Sequence, residues 1–203
     1  IAAGYKNWMI KDYFRHFFLH NSDLEVDLSD GSHRTINVVE DYNWRVTVVD
    51  TGLNTPTAGR LLGLKEVLDN EPFCLTYGDG VSDVDISKLI EVHKQEGRLA
   101  TVTAVHPPAR FGHLTLEGQR VSRFVEKPQV DQGWINGGFF VFEPGVLDYM
   151  SHEVMLEREP LEKLAADNQL TGYSHEGFWQ PMDTYRDKRL LESLWSSGRA
   201  PWV

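Results

Sequence analysis

One cysteine, Cys74, is all the chain carries in 203 residues, so no intramolecular disulfide can form. That excludes a disulfide-stapled scaffold and a cysteine-based zinc site, and it fits a reducing cytoplasm. No apolar run approaches the length of a membrane span, and no signal-peptide pattern is visible. Positive charge is scarce. Twenty Lys and Arg stand against 30 Asp and Glu, for a net charge of −10 and a pI of about 5.2. Nucleic acid and anionic membrane call for a basic surface, so both are excluded as partners. A phosphorylated small molecule is not excluded, because a few local cations suffice. Internal repeats, low-complexity tracts and linkers are also missing. There is no initiator Met, and "IAAGY" reads as the last residues of a strand entering a turn. The chain is therefore expected to begin inside its fold.

Hydrophobic residues make up 41% of the chain and charged residues 25%, an ordinary globular balance. The length suits one substantial domain. Ile10, Phe14, Phe17 and Phe18 share one face of a helix over 7–19, with Asn7 as N-cap. Strict alternation in "DLEVDL" predicts a strand over 23–28, which "SDGS" turns into a second near 33–39. "WRVTVVD" predicts a strand over 44–50, and Thr57 then caps a helix over 58–68. Strands follow at 73–77 and 99–105, the latter apolar on both faces as a central parallel strand is, with a helix over 85–96 between them. "HLTLEGQRVSRFVEKP" reads as a hairpin turned at Glu117–Gly118, and "NGGFFVFEP" as a further strand. Pro160 opens a helix near 160–168, and Thr184 with Asp187 caps a last helix over 184–196. Helices alternating with strands predict an α/β fold with a mixed sheet. Ligands of such sheets sit at the carboxyl ends of strands. Asp79, Asp50–Thr51–Gly52, "PPARFG" and the "EKP" turn lie at such ends.

In "CLTYGDGVSDVDI" an apolar strand ends on an acid between two glycines. Asp79 has two readings. One is a turn acid favoured by geometry alone. The other is a metal ligand, since a hard carboxylate at a strand tip suits Mg²⁺. A second acid is then wanted, and Asp183 in "FWQPMDT" is the best candidate; its alternative role is local capping. A dehalogenase-type phosphatase also ends a strand in Asp-Gly, but it needs a nucleophilic acid where this chain has Tyr77. Glu126 and Lys127 close another strand. They read either as a surface ion pair or as a sugar-hydroxyl acceptor and a phosphate cation. Arg110 in "RFG" supplies a guanidinium beside Gly112, and "NGG" offers the Asn136 amide and two bare backbone positions. His16 and His20 lack the intervening Glu of a zinc-protease helix and read as exposed cations near a helix C-terminus. Trp44, Phe178 and Trp179 read as core rather than as stacking platforms.

"GYK", "VDTG", "TYGDGVSDVDI", "PPARFG", "EKP", "INGGFFVFEP" and "GFWQPMDTYRDKRLLESLW" occur in that order. Together they resemble the sugar-nucleotide nucleotidyltransferases, and within them the glucose-1-phosphate cytidylyltransferase family, over essentially the whole chain. The resemblance implies a Rossmann-like three-layer α/β/α mixed sheet in a single domain over 1–203. It implies Mg²⁺-dependent transfer of a cytidylyl group from CTP to glucose 1-phosphate by direct in-line displacement. On this resemblance Asp79 and Asp183 hold Mg²⁺ on the nucleotide phosphates, and Lys127 takes the sugar phosphate. Glu126 takes glucose hydroxyls, Asn136 and Gly137 line the sugar pocket, and Gly112 lies nearby. Thr51, Gly52 and the stretch from Thr57 to Gly59 face the nucleobase through their backbone, and Arg110 meets phosphate. Relatives are expected to carry Gly-Gly where this chain has Ala58–Gly59. The glycines beside Asp79, including Gly80, let metal-bound phosphate approach without a Cβ clash.

The same resemblance implies a departure. The family opens with a glycine-rich loop carrying Arg and Lys around the triphosphate, and the first residues here match a point beyond it. The chain is therefore expected to be N-terminally truncated, lacking at least one β-loop-α unit of about 30 residues. It is also expected to be catalytically impaired and prone to form a homo-oligomer through uncovered edges and apolar surface. Two alternatives stay open: a non-catalytic sugar-phosphate-binding module, and a nucleotidyltransferase for another nucleotide or sugar phosphate.

Overall fold

The computed structural model, which describes residues 1–37, 43–108, 113–125 and 133–203, builds its largest sheet around the β-branched run ending at Val105. The chain divides into two compact units, Ile1–Asp69 with Met150–Pro160 and Asn70–Tyr149 with Leu161–Val203.

In the first unit, β1 (Ala2–Ala3) pairs in parallel with β4 (Val49–Asp50). Between them run α1 (Asn7–Arg15), α2 (Phe17–His20) and the antiparallel hairpin of β2 (Asp23–Val26) and β3 (His33–Ile36). The apolar stripe at 10, 14 and 17 produces the expected helix, broken at His16 into two. Asn7 is not its cap. Lys6 occupies that position in the left-handed region, and the Asn7 amide donates instead to Asp50 Oδ2 at 2.9 Å. The strand expected over 44–50 shrinks to two residues, because its apolar alternation finds a ladder partner only where β1 runs beside it. α3 (Thr57–Leu62) is shorter than the expected 58–68, and Thr57 lies inside it, with Pro56 at the cap position. Trp44, expected in the core, is exposed.

In the second unit, β5 (Phe73–Thr76), β6 (Gly80–Ser82), α4 (Ile86–Glu96) and β7 (Ala100–Val105) are followed by the hairpin of β8 (His113–Glu117) and β9 (Arg120–Val125). After these come β10 (Ile135–Phe142), a 3-10 turn (Pro144–Tyr149), α5 (Glu159–Ala166, entered from the first unit), β11 (Leu170–His175), β12 (Trp179–Pro181) and α6 (Tyr185–Ser196). Four strands form a mixed sheet in the order β11-β7-β10-β5, with β11 parallel to β7 and β10 antiparallel to both its neighbours. Phe140, Phe142, Val105, Leu89 and Leu164 are buried there. α4 covers β7 and buries His93, whose ring nitrogens meet Thr101 Oγ1 at 2.9 Å and Glu143 Oε1 at 3.2 Å. The sheet is central and mixed, as the alternation predicts. β6 was not expected: its three residues pair antiparallel with β12, nearly a hundred residues on.

Candidate active site

The tip of β5 is where sequence-distant segments meet. Tyr77 leaves the strand by donating its N–H to the Gly138 carbonyl at 3.1 Å. Asp79 follows on exposed backbone, and Gly80 opens the ladder with β12, opposite Pro181. One step beyond the ladder, the Met182 N–H donates to the Asp79 carbonyl at 2.7 Å. Residues 79 and 182 are therefore main-chain neighbours, and Asp183 is the next residue along. The two aspartates paired by the sequence stand at one end of one ladder.

Asp183 is held from behind. Gln180 is buried and donates its amide to the Pro181 carbonyl at 3.0 Å and to Asp187 Oδ1 at 3.1 Å. The other Asp187 oxygen accepts from the Thr184 N–H and hydroxyl, while Thr184 Oγ1 accepts from the Asp187 N–H. The capping box predicted for the last helix is thus closed, and it sits immediately after Asp183.

Asn136 and Gly137 reach the same place through a fault in β10. Asn136 pairs with Ala104, yet Phe140 pairs with Val102, so β10 holds two residues more than β7 over this stretch. Such a bulge releases backbone groups from the ladder and re-aims side chains. Hydrogen bonds hold the bulge in place. Asn136 Oδ1 accepts from the Gly138 N–H at 2.8 Å, its Nδ2 donates to the Tyr77 hydroxyl at 3.2 Å, and the Trp179 indole N–H donates to the Gly137 carbonyl at 2.7 Å. Gly138 has φ +79°, a region that side chains avoid. At Gly137 a Cβ would meet Val105 Cγ1 at 2.8 Å and the Thr103 carbonyl at 3.0 Å. Gly78 and Gly80 differ. Neither has a positive φ; a Cβ on Gly78 meets nothing within 4 Å, and one on Gly80 only Trp179 Nε1 at 3.9 Å. The chain's own packing does not demand glycine beside Asp79.

Thr51, Gly52, Thr57 and Gly59 lie in the first unit. The Arg60 guanidinium donates to Thr51 Oγ1 at 2.7 Å, to the Gly52 carbonyl at 3.0 Å and to the Leu53 carbonyl at 3.3 Å, which fixes the turn after β4. Thr57 Oγ1 donates to Glu157 Oε2 and accepts from the Leu156 N–H, both at 2.8 Å, so its hydroxyl secures the 156–157 segment rather than capping a helix. Gly59 is buried, and a Cβ there would stand 2.6 Å from the His152 carbonyl. Arg110, Gly112, Glu126 and Lys127 lie outside the described residues. Among the described residues, no group of three or more His, Cys, Asp or Glu could hold a metal ion, and no helix is long and apolar enough to cross a membrane. Asp79 and Asp183 still offer two hard, exposed carboxylates on adjoining backbone, a donor set that suits Mg²⁺ completed by phosphate and water oxygens.

Sequence reasoning missed Tyr77, Trp179, Gln180 and Arg60 as parts of this architecture. The signal for Trp179 was present in "GFWQPMDT", where a polar-tipped aromatic precedes an acid, but its partner lies 42 residues away in the chain.

A family described as Nucleotidyl transferase matches residues 23–180, and the chain belongs to it. A glucose-1-phosphate cytidylyltransferase from Salmonella typhi is 47% identical over 204 residues, covering 100% of this chain and 79% of that protein. The protein of the same name from Salmonella typhimurium strain LT2 has the same identity and coverage. Among solved structures, HddC from Yersinia pseudotuberculosis complexed with GMP-PN superposes with a TM-score of 0.57 at 18% identity, covering 93% of this chain and 74% of that chain. It shares the nucleotidyltransferase fold.

Proposed function

We propose that the chain transfers a cytidylyl group from CTP to glucose 1-phosphate, giving CDP-glucose and pyrophosphate. The observation that carries this is the end of the β6–β12 ladder, where Asp79 and Asp183 adjoin and to which Trp179 ties the Asn136–Gly137 bulge. Nearly half of all positions are identical to those of proteins bearing that activity's name.

In this reading Asp79 and Asp183 hold Mg²⁺, which when bound offsets the charge on the nucleotide phosphates. Asn136 and the Gly137 backbone orient the sugar with Glu126 and Gly112, while Lys127 and Arg110 supply cations for phosphate. The backbone of Thr51, Gly52, Thr57 and Gly59 faces the nucleobase. A glucose 1-phosphate oxygen, already anionic, forms a bond to the α-phosphorus as the bond to the β-phosphate oxygen breaks in line, and pyrophosphate leaves. No side chain needs to remove a proton or form a covalent intermediate, so catalysis is orientation and charge neutralisation. The chain works in the cytoplasm as a homo-oligomer, a reading supported by its single cysteine and by exposed apolar side chains such as Trp8 and Phe18.

The test is calorimetry with glucose 1-phosphate and with each nucleoside triphosphate in the presence of Mg²⁺, followed by product analysis. Both CTP and glucose 1-phosphate are expected to bind, with CDP-glucose and pyrophosphate accumulating slowly, as the expected impairment requires, and in equal amounts. Preference for another triphosphate overturns the cytidylyl assignment. Sugar-phosphate affinity with neither triphosphate binding nor product identifies a binding module instead, and absence of both affinities overturns the reading entirely.

A further inference from the structure

We propose that Trp179 is the positioning residue that sets the sugar side of the site in register with its metal-holding side. The proposal rests on the reading of Asn136 and Gly137 as sugar-facing groups.

Three hydrogen bonds tie down backbone groups of the bulge in β10, and the Asn136 side-chain amide also donates to the Tyr77 hydroxyl. Two of them, Gly138 N–H to Asn136 Oδ1 and Tyr77 N–H to the Gly138 carbonyl, connect it to itself and to the tip of β5. The third, from the Trp179 indole N–H to the Gly137 carbonyl, connects it to β12, the strand that runs directly into Asp183. The indole also stands over the other acid's segment, since its Nε1 is 3.9 Å from where a Gly80 Cβ would lie. One half-buried side chain is therefore bonded to one of the two segments that must keep a fixed spacing, 136–137, presented to sugar, and lies beside the other, 79–80, presented to metal-bound phosphate.

A bulge glycine pair has no Cβ atoms to limit its backbone, so its conformation is set by what its carbonyls and N–H groups are bonded to. Gly137 is buried, and its carbonyl has lost its place in the ladder. Without the indole it would be left unpaired, and the backbone would turn to find another donor. Asn136, one residue away, would turn with it. Trp179 itself need not touch either substrate.

W179F keeps an aromatic ring and removes the N–H. Its dissociation constant for glucose 1-phosphate is expected to rise about fivefold to tenfold, the usual scale for losing one buried hydrogen bond. Its affinity for CTP with Mg²⁺ is expected to stay within about twofold. Combined with N136A, its effect on sugar binding should be strongly non-additive, because both changes act through one group. Equal loss of affinity for both ligands, or additive effects, overturns the proposal. If the unaltered chain has no measurable affinity for glucose 1-phosphate, it is the functional reading that fails. Hydrogen exchange then decides the clamp alone: faster exchange at 135–139 in W179F, with β7 unchanged, sustains it, and unchanged exchange at 135–139 overturns it.

Discussion

At the scale of single residues, the glycines of the site are not equivalent. Gly137 is required by the protein: a Cβ would press on Val105 and on the Thr103 carbonyl. The G137A variant should lose about 1–3 kcal/mol of stability, the usual scale of overpacking. Gly78 is not required by the protein, because a Cβ there meets open space on a backbone without positive φ. G78A should hold or slightly raise the melting temperature, by limiting the unfolded chain. If a phosphate group approaches the β5 tip as proposed, the same methyl group stands in its way. Calorimetry on G78A should then show CTP binding in Mg²⁺ weakened severalfold beside intact stability. A fall in melting temperature, or unchanged CTP affinity, would remove ligand approach as the reason for glycine at this position.

At the scale of elements, the two helices that flank the site's strands are capped by different chemistries. Asp85 caps α4 by accepting the Lys88 N–H at 3.0 Å, and that backbone hydrogen bond, with the Lys88 side chain behind it, holds its carboxyl below the usual carboxylate range. A lowered folded-state pKa stabilises the fold above the unfolded value of about 3.9, and that contribution disappears as pH falls through the folded value. D85A should therefore melt below the unaltered chain at neutral pH, with the gap closing as the pH falls through and below the usual carboxylate range. D85N, an uncharged capper, should show no such pH-dependent gap, and thermal melts across pH 2.5–7 would check both. The Thr184–Asp187 cap was legible in the sequence because its partners lie three residues apart, and Asp85 stands at the same spacing from Lys88 although no cap was expected there. The Asn7 and Thr57 caps failed for the opposite reason. Their side chains are claimed by Asp50 and by residues 156–157, partners that local spacing cannot reveal. The β6–β12 ladder was illegible for the same cause, being three residues long and closed across nearly a hundred. The two aspartates were named as a strand-tip carboxylate and the acid before a capped helix, but what joins them is this ladder.

At the scale of the whole molecule, apolar burial is unevenly shared between the two units. The second holds Phe140, Phe142, Leu89, Val105, Val141, Val146, Leu164 and Leu191 in its core. The first buries Ala3, Ala58, Leu61 and Leu156, while α1 has no buried residue and β2 is exposed along its length. Leu28 is 92% exposed and Trp8 63% exposed, so apolar side chains that usually drive folding contribute little to the first unit's stability. Cooperative opening follows buried contact, and segments with little of it open at low free energy. Hydrogen exchange followed by mass spectrometry should therefore divide the chain. Peptides from α1 and the β2–β3 hairpin should exchange by local opening, well before β7 and β10, which should exchange only on global unfolding. In urea the exchange of 1–37 should rise at concentrations that leave 100–105 and 135–142 protected. One common opening free energy for all these peptides would mean that the first unit is held by contacts other than its own buried side chains.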